Sequence, residues 1–282
     1  MSSTQSQQTI AVVGTTGIQG SGVVRALLSD EYGGPWFVRA LTQDPSSGKA
    51  QKLLSEYLTT DNRLSLVSGN VYDEPSLRSA FTGAYGVFAT TSERYPGKLI
   101  TEEWELKHEI NAGRNIISAA KECCIKHLVF SSLPDTVKAS DGQFKRIHHM
   151  NNKHTIEQLA RKELDGFTSL IPGVEKTKGQ TYLPLGPRIT PQGMAKVFTR
   201  VTGKPAVHSP ISFEEFGRLS SALVGPAFKE DAIEMMQWAA VALTDKTCYG
   251  AFELEAEQSI EELGLTASSF EDWLRRSGWT GS

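Results

Sequence analysis

Residues 9–20 read Thr-Ile-Ala-Val-Val-Gly-Thr-Thr-Gly-Ile-Gln-Gly, an apolar β-branched run that empties into glycines spaced three apart. A helix-like pattern follows at once. This order predicts a strand–turn–helix unit that brings its backbone against the diphosphate of a dinucleotide. Gly14 permits the tight turn, Gly17 removes a Cβ where phosphates approach, and Gly20 lets the helix pack close to the strand. Thr16, Ile18 and Gln19 complete the loop. The free N–H groups of the first helical turn and the helix dipole then face the negative charge.

The rest of the chain supports a sheet large enough to carry that unit. Strand and helix patterns alternate over the first 170 residues of a 282-residue chain, the rhythm of an α/β, doubly wound parallel sheet with right-handed crossovers. Strands are predicted over Thr9–Val13, Phe37–Thr42, Leu64–Ser68, Gly86–Thr91, His127–Ser132 and Phe167–Ile171. Helical patterns fall near Gly17–Leu28, Gly48–Tyr57, Pro75–Phe81, Glu102–Cys123 and His149–Leu164. Ligands of such a sheet sit outside the carboxyl ends of its strands.

After Pro172-Gly173 the rhythm changes, which divides the chain into a dinucleotide-binding domain over 1–172 and a smaller, mostly helical substrate or partner region over 173–282. Thr190-Pro191 opens one helix there, Ser212 through Glu215 reads as a capping box for a second, and Pro226 starts a third through Ala242. Ser268 through Glu271 caps a last one, with Trp273 and Leu274 on its buried side. A short strand is expected at Ala206–His208. Met235, Met236 and Trp238 read as core residues before they read as a partner surface.

Charge and cysteine usage narrow the function classes. A formal net charge of −3 carries no basic surplus, which argues against a direct nucleic-acid partner. No apolar run approaches a membrane-crossing length, and residues 1–8 lack a hydrophobic signal core. Cys123, Cys124 and Cys248 lack metal spacing and read as packing thiols, so no metal is expected. The expected location is cytoplasmic, with the nucleus as the alternative.

The candidate chemistry lies at strand ends. An acid after the second strand would bond a ribose 2′-hydroxyl, and an arginine would accept a 2′-phosphate. Thr42 and Gln43 are neither, Arg39 lies inside the strand, and Asp44 is as well suited to a turn as to a ribose. Ser46, Ser47 and Lys49 could hold a phosphate, so residues alone leave NADP and NAD both open. Asn70 is placed to bond an adenine edge or to close its own turn. Thr90 would run beside the dinucleotide, and Ser131 and Ser132 would lie next to its nicotinamide. His149 and Lys153, four apart on one helix face, would direct an imidazole and an ammonium into the same site.

Together these residues resemble the NmrA-like family, an atypical branch of the short-chain dehydrogenase/reductases. The similarity rests on Gly14, Gly17 and Gly20, the Arg39–Thr42 strand end, the Lys126–Leu133 strand, and the Leu185–Pro191 and Thr199–Pro205 segments, the last two similar to fungal members. It implies a Rossmann core that binds NADP(H), or alternatively NAD(H). Lys153 would bond the nicotinamide ribose, Ser132 would orient a carbonyl or imine, and His149 would shuttle a proton. Three departures matter. His149 stands where relatives usually place a tyrosine, and beside a lysine it reads as an uncharged base rather than an acid. Gln43 stands where an arginine often supports NADP. Val174–Tyr182 reads as the shortened remnant of a longer pocket-forming stretch. The resemblance implies a small-molecule oxidoreductase of fungal secondary metabolism. Its alternatives are a redox-sensing negative regulator of transcription working through a protein partner, and a non-redox acid–base cyclase or isomerase with bound dinucleotide.

Overall fold

The computed structural model describes residues 8–29, 36–57, 61–170, 181–182, 187, 189–241, 246–247, 252–253 and 266–281. Its centre is a seven-stranded sheet built from β1 (Thr9–Val12), β2 (Phe37–Thr42), β3 (Leu64–Ser68), β4 (Gly86–Ala89), β5 (His127–Ser131), β6 (Phe167–Leu170) and β7 (Thr181–Tyr182). The order is β3-β2-β1-β4-β5-β6-β7, and every pairing is parallel. The six expected strands are present; β1, β4 and β5 stop one or two residues early at the carboxyl end, and Ile171 lies outside the described residues. The two-residue β7 was not anticipated; it follows residue 172 in the chain yet pairs with β6.

β1 lies between β2 and β4, so successive crossovers leave it in opposite directions. That reversal opens a crevice at the carboxyl ends of β1 and β4, where such sheets take ligands. Both faces of the sheet are covered, which is why the strands read as near-continuous apolar runs. One face packs Val12, Val38 and Phe88 under Val24 and Leu28 of α1 (Ile18–Leu28) and Leu53 of α2 (Gly48–Glu56). The other packs Ala11, Val87 and Phe130 under α3 (Glu74–Phe81), α4 (His108–Glu122) and α6 (His148–Glu163). Gly113 sets the α4–α6 approach, since a Cβ there would fall 2.4 Å from Ile156 Cγ1. One turn earlier on each helix, the same crossing brings Glu109 to Lys153.

The helix expected over Glu102–Cys123 is two elements, a 3-10 turn at Glu103–Lys107 followed by α4. A capping box between Glu102 and Glu105 fixes that entry. A short α5 (Thr136–Ala139), started by the Asp135 side chain, had no periodicity long enough to announce it.

Beyond the sheet, Thr190 caps α7 (Pro191–Thr202) and Ser212 caps α8 (Phe213–Ser221). α8 stops short of Gly225 because Gly225, at φ +129°, lies backbone-to-backbone against Ile100. A 3-10 turn at Pro226–Phe228 leads into α9 (Lys229–Val241), whose Trp238 is buried with Phe144, Ile147 and Met150. A Ser269–Asp272 capping box starts α10 (Phe270–Ser277). Two expectations need correction. Residues 206–208 form no strand, because no neighbouring strand pairs with them. Leu274 is buried as expected, but Trp273 is exposed and stacks on Phe270 in the first turn of the helix. A two-stranded antiparallel ribbon joins β8 (Lys246–Thr247) to β9 (Phe252–Glu253). Cys248, Gly173 and residues 174–180 lie outside the described residues.

Candidate functional site

The turn after β1 is built by steric exclusion. Gly14 has φ +82°, and a Cβ on it would lie 2.7 Å from Thr90 Cγ2. A Cβ on Gly20 would lie 2.2 Å from the Gly14 carbonyl oxygen, so α1 can start this close to β1 only with glycine there. The Gly17 N–H donates to that same carbonyl at 3.0 Å, closing the turn. Thr15, which the motif reading passed over, is wholly buried and donates its hydroxyl to the Leu41 carbonyl at 2.7 Å, tying the loop to β2. A β-branched hydroxyl residue inside a glycine loop was the available signal.

The outer side of this turn is open. Gly17 is the N-cap of α1, no side chain caps the helix, and its first turn holds no acid. Thr16, Gly17, Ile18 and Gln19 are exposed, Ile18 at 94%. A Cβ on Gly17 would meet only the Gly14 carbonyl oxygen, at 3.3 Å. Uncapped N–H groups, a favourable dipole and no side chain in the way fit a diphosphate.

At the end of β2 the loop is occupied with itself. The Asp44 carboxylate accepts the Ser46 hydroxyl at 2.6 Å and the Ser46 N–H at 2.8 Å, and the hydroxyl bond above all holds it below the usual carboxylate range. Asp44 therefore makes a turn contact, through Oδ1 alone. Ser47 caps α2, Thr42 donates to the Asp44 carbonyl at 3.3 Å, and Gln43 is exposed. Arg39 donates to the Ala80 and Thr82 carbonyls at the end of α3. Asn70 closes its own turn, its Oδ1 accepting the Tyr72 N–H at 3.0 Å.

A buried polar group lies at the ends of β4 and β5. The Lys153 ammonium pairs with Glu109 Oε1, which also accepts the Thr91 hydroxyl at 2.6 Å. Glu109 is fully buried, and its Oε2 has no hydrogen-bond partner among the described residues. Ser132 is 1% exposed and donates to the Lys153 backbone carbonyl at 3.3 Å; Ser131 is buried beside it. Because the sequence predicts a helix from Glu102, Glu109 reads there as one more charge within it, with nothing to mark a buried partner.

Next to it, Tyr72, Tyr95 and His108 form an aromatic cluster that the sequence also did not reveal, with ring centroids of Tyr72 and Tyr95 4.6 Å apart. His108 Nε2 meets the Glu93 carbonyl at 3.1 Å, and a carbonyl only accepts, so the proton is on Nε2. Nδ1 then accepts the Tyr72 hydroxyl at 2.8 Å. Burial first, and the Lys153 charge in a lesser way, holds His108 below its ordinary range. Burial likewise pushes the Tyr72 hydroxyl up, with Glu109 and Tyr95 adding to it.

His149, one turn before Lys153 on α6, has a carboxylate partner of its own. Its Nδ1 pairs with Asp231 Oδ1 of α9, and its backbone N–H donates to Asp231 Oδ2 at 2.9 Å. The structure thus brings Lys153, Ser132, Thr91 and Glu109 together and joins His149 to the C-terminal helices instead. Among the described residues no cluster of three or more histidine, cysteine or acidic side chains could hold a metal ion, and no helix is long and apolar enough to cross a membrane.

A family model described as the NmrA-like family matches residues 6–171. An NmrA-like family domain-containing oxidoreductase, FrzB, of Cladobotryum sp is 36% identical over 164 residues, covering 58% of this chain and 44% of the relative. A second with that description, malD of Malbranchea aurantiaca, is 32% identical over 176 residues, covering 58% and 46%. The chain thus spans about half the length of the curated relatives it matches. Among solved structures, Citrobacter sp. triphenylmethane reductase complexed with NADP(H) superposes with a TM-score of 0.63 at 17% identity, over 95% of this chain and 99% of that one. The Escherichia coli NADPH-dependent quinone oxidoreductase QOR2, complexed with NADPH, gives 0.63 at 15% identity over 96% and 100%.

Proposed function

This chain belongs to the NmrA-like family, and on that premise we propose that it is an NADP(H)-dependent oxidoreductase acting on a small organic molecule. The observation that carries the proposal is the uncapped, acid-free start of α1 beside Gly14, Gly17 and Gly20. The oxidoreductase names of the fungal relatives and the NADP(H) complexes of the solved neighbours support it. The same proposal assigns the protein to fungal secondary metabolism and to the cytoplasm.

Gly14, Thr16, Gly17, Ile18, Gln19 and Gly20 would hold the diphosphate, with Thr90 beside it. NADP(H) is favoured over NAD(H) because the solved neighbours are NADP(H) complexes, while Asp44, the acid after β2, already has its Oδ1 committed to Ser46. Thr42 and Gln43 would flank the adenosine ribose, and Asn70 the adenine. When bound, the dinucleotide supplies hydride chemistry. Lys153 keeps two ammonium protons beyond its bond to Glu109 Oε1, and these would donate to ribose hydroxyls. Ser132 and Ser131 line the same end of β5, and Ser132 holds the Lys153 backbone. His149 would serve as the proton-handling group.

Native mass spectrometry should show a co-purifying dinucleotide, and stopped-flow absorbance at the reduced nicotinamide band should show its turnover with quinone, carbonyl or enone substrates. A protein that binds NADPH yet turns over none of them would favour a second reading, a dinucleotide-occupancy sensor acting on a protein partner. The engagement of both Lys153 and His149 by internal carboxylates is what supports that reading. Its signature is partner affinity that changes with the ratio of NADP to NADPH.

A further inference from the structure

We infer that Asp231 is a positioning residue that holds His149 in its Nδ1–H tautomer, leaving Nε2 as a proton acceptor. The inference deepens the proposed function and rests on its assignment of proton handling to His149.

Asp231 is 1% exposed and reaches His149 across 82 residues of sequence, from α9 to the first turn of α6. Both carboxylate oxygens are used on one residue: Oδ2 accepts the backbone N–H of His149, and Oδ1 faces Nδ1. An ionised carboxylate only accepts, so the ring proton must lie on Nδ1. The ring is also held by Phe228, edge-on at 5.6 Å between centroids. Nε2 makes no hydrogen bond among the described residues, and in the neutral ring it carries the lone pair. No residue of α6 caps that helix start, since Ile147 stands at the N-cap. Asp231 thus supplies a cap and a tautomer lock in one contact, which a cap alone would not require.

The lock sets the direction of proton transfer. A substrate O–H or N–H bond breaks, its electron pair stays on the heteroatom, and the proton goes to Nε2. The imidazolium that results keeps its Nδ1–H on the Asp231 carboxylate. A histidine locked this way suits substrates that must lose a proton, such as an alcohol or amine oxidised to a carbonyl or imine, with the oxidised dinucleotide of the proposed function as the hydride acceptor.

The experiment is long-range proton–nitrogen correlation NMR of 15N-histidine-labelled, nucleotide-free protein, assigned with His149→Gln. Wild type should show a protonated Nδ1 and an unprotonated Nε2 at neutral pH. Asp231→Asn keeps an oxygen for the backbone N–H but turns an amide donor toward Nδ1, so the proton should move to Nε2. Carbethoxylation of His149 Nε2 by diethyl pyrocarbonate, read by mass spectrometry, should then slow by about tenfold or more. That second readout separates a presented lone pair from a mere staple between helices, which would leave both proteins unmodified. A wild-type Nε2–H, a doubly protonated ring, or equal modification rates would overturn the inference. Should Asp231→Asn fail to fold, the wild-type spectrum and its modification decide alone. Calorimetry with NADPH tests the dinucleotide reading separately, because neither readout needs nucleotide.

Discussion

Replacing Gly17 by aspartate should separate stability from binding. Gly17 has φ −91° and ψ 169°, a backbone any residue adopts, and its Cβ would touch only the Gly14 carbonyl oxygen, at 3.3 Å. Aspartate is a preferred N-cap, worth a few tenths of a kcal/mol over glycine, and its charge gains about 0.3–1 kcal/mol from the dipole. The 3.3 Å contact with a backbone oxygen offsets part of that gain, so the variant should unfold in urea within about 1 kcal/mol of wild type. The same carboxylate would sit where the diphosphate must. Two unit charges about 4 Å apart at an effective dielectric of about 20 repel by about 4 kcal/mol, roughly a thousandfold in affinity. Gly17→Asn adds a similar volume without charge, so the difference between the two variants isolates the electrostatic part. Isothermal titration with NADPH reads the affinity, and urea unfolding reads the stability. An aspartate variant that binds as tightly as the asparagine one would refute the assignment of this helix start to phosphate.

Two glycines of α1 should respond with opposite signs. Gly20→Ala meets Gly14 backbone at 2.2 Å and should cost about 2 kcal/mol or more, whereas Gly22→Ala meets nothing within 4 Å and should gain about 0.5–1 kcal/mol; urea midpoints check both. Glu109→Gln removes the charge that balances buried Lys153 and should destabilise by about 3 kcal/mol, and adding Lys153→Met should restore much of it while NADPH binding stays weak by calorimetry. His108 has its folded-state affinity for protons lowered by burial, so its contribution is complete above the ordinary value of about 6.5 and is lost as pH falls from there through the folded value. His108→Gln should flatten that part of the urea-midpoint profile; a midpoint that rises as wild type is acidified through this window would contradict the assigned tautomer.

The parts of this protein legible in its sequence are those where a local rule acts alone. The apolar runs gave the six main strands within two residues, because strands covered on both faces carry their burial in consecutive residues. Thr190 and Ser212 announced their helices because capping is a contact over three residues. Gly14, Gly17 and Gly20 were readable for the same reason: the contact that excludes a Cβ on Gly20 comes from Gly14, six positions away. What stayed hidden depends on contacts between distant segments. Glu109 becomes the partner of Lys153 only because Gly113 lets α4 lie against Ile156 of α6. Asp231 reaches His149 only because α9 docks on the start of α6. Helical spacing correctly put His149 and Lys153 one turn apart, but it could not show that carboxylates from two different elements draw them to separate partners. In helices expected from Glu102 and Pro226, Glu109 and Asp231 read as ordinary helix charges, and nothing in the sequence marks either acid for a distant partner. In both Glu109 and Asp231 the chain sets such an acid against α6, and there the carboxylates fix the two side chains proposed to handle ribose and proton.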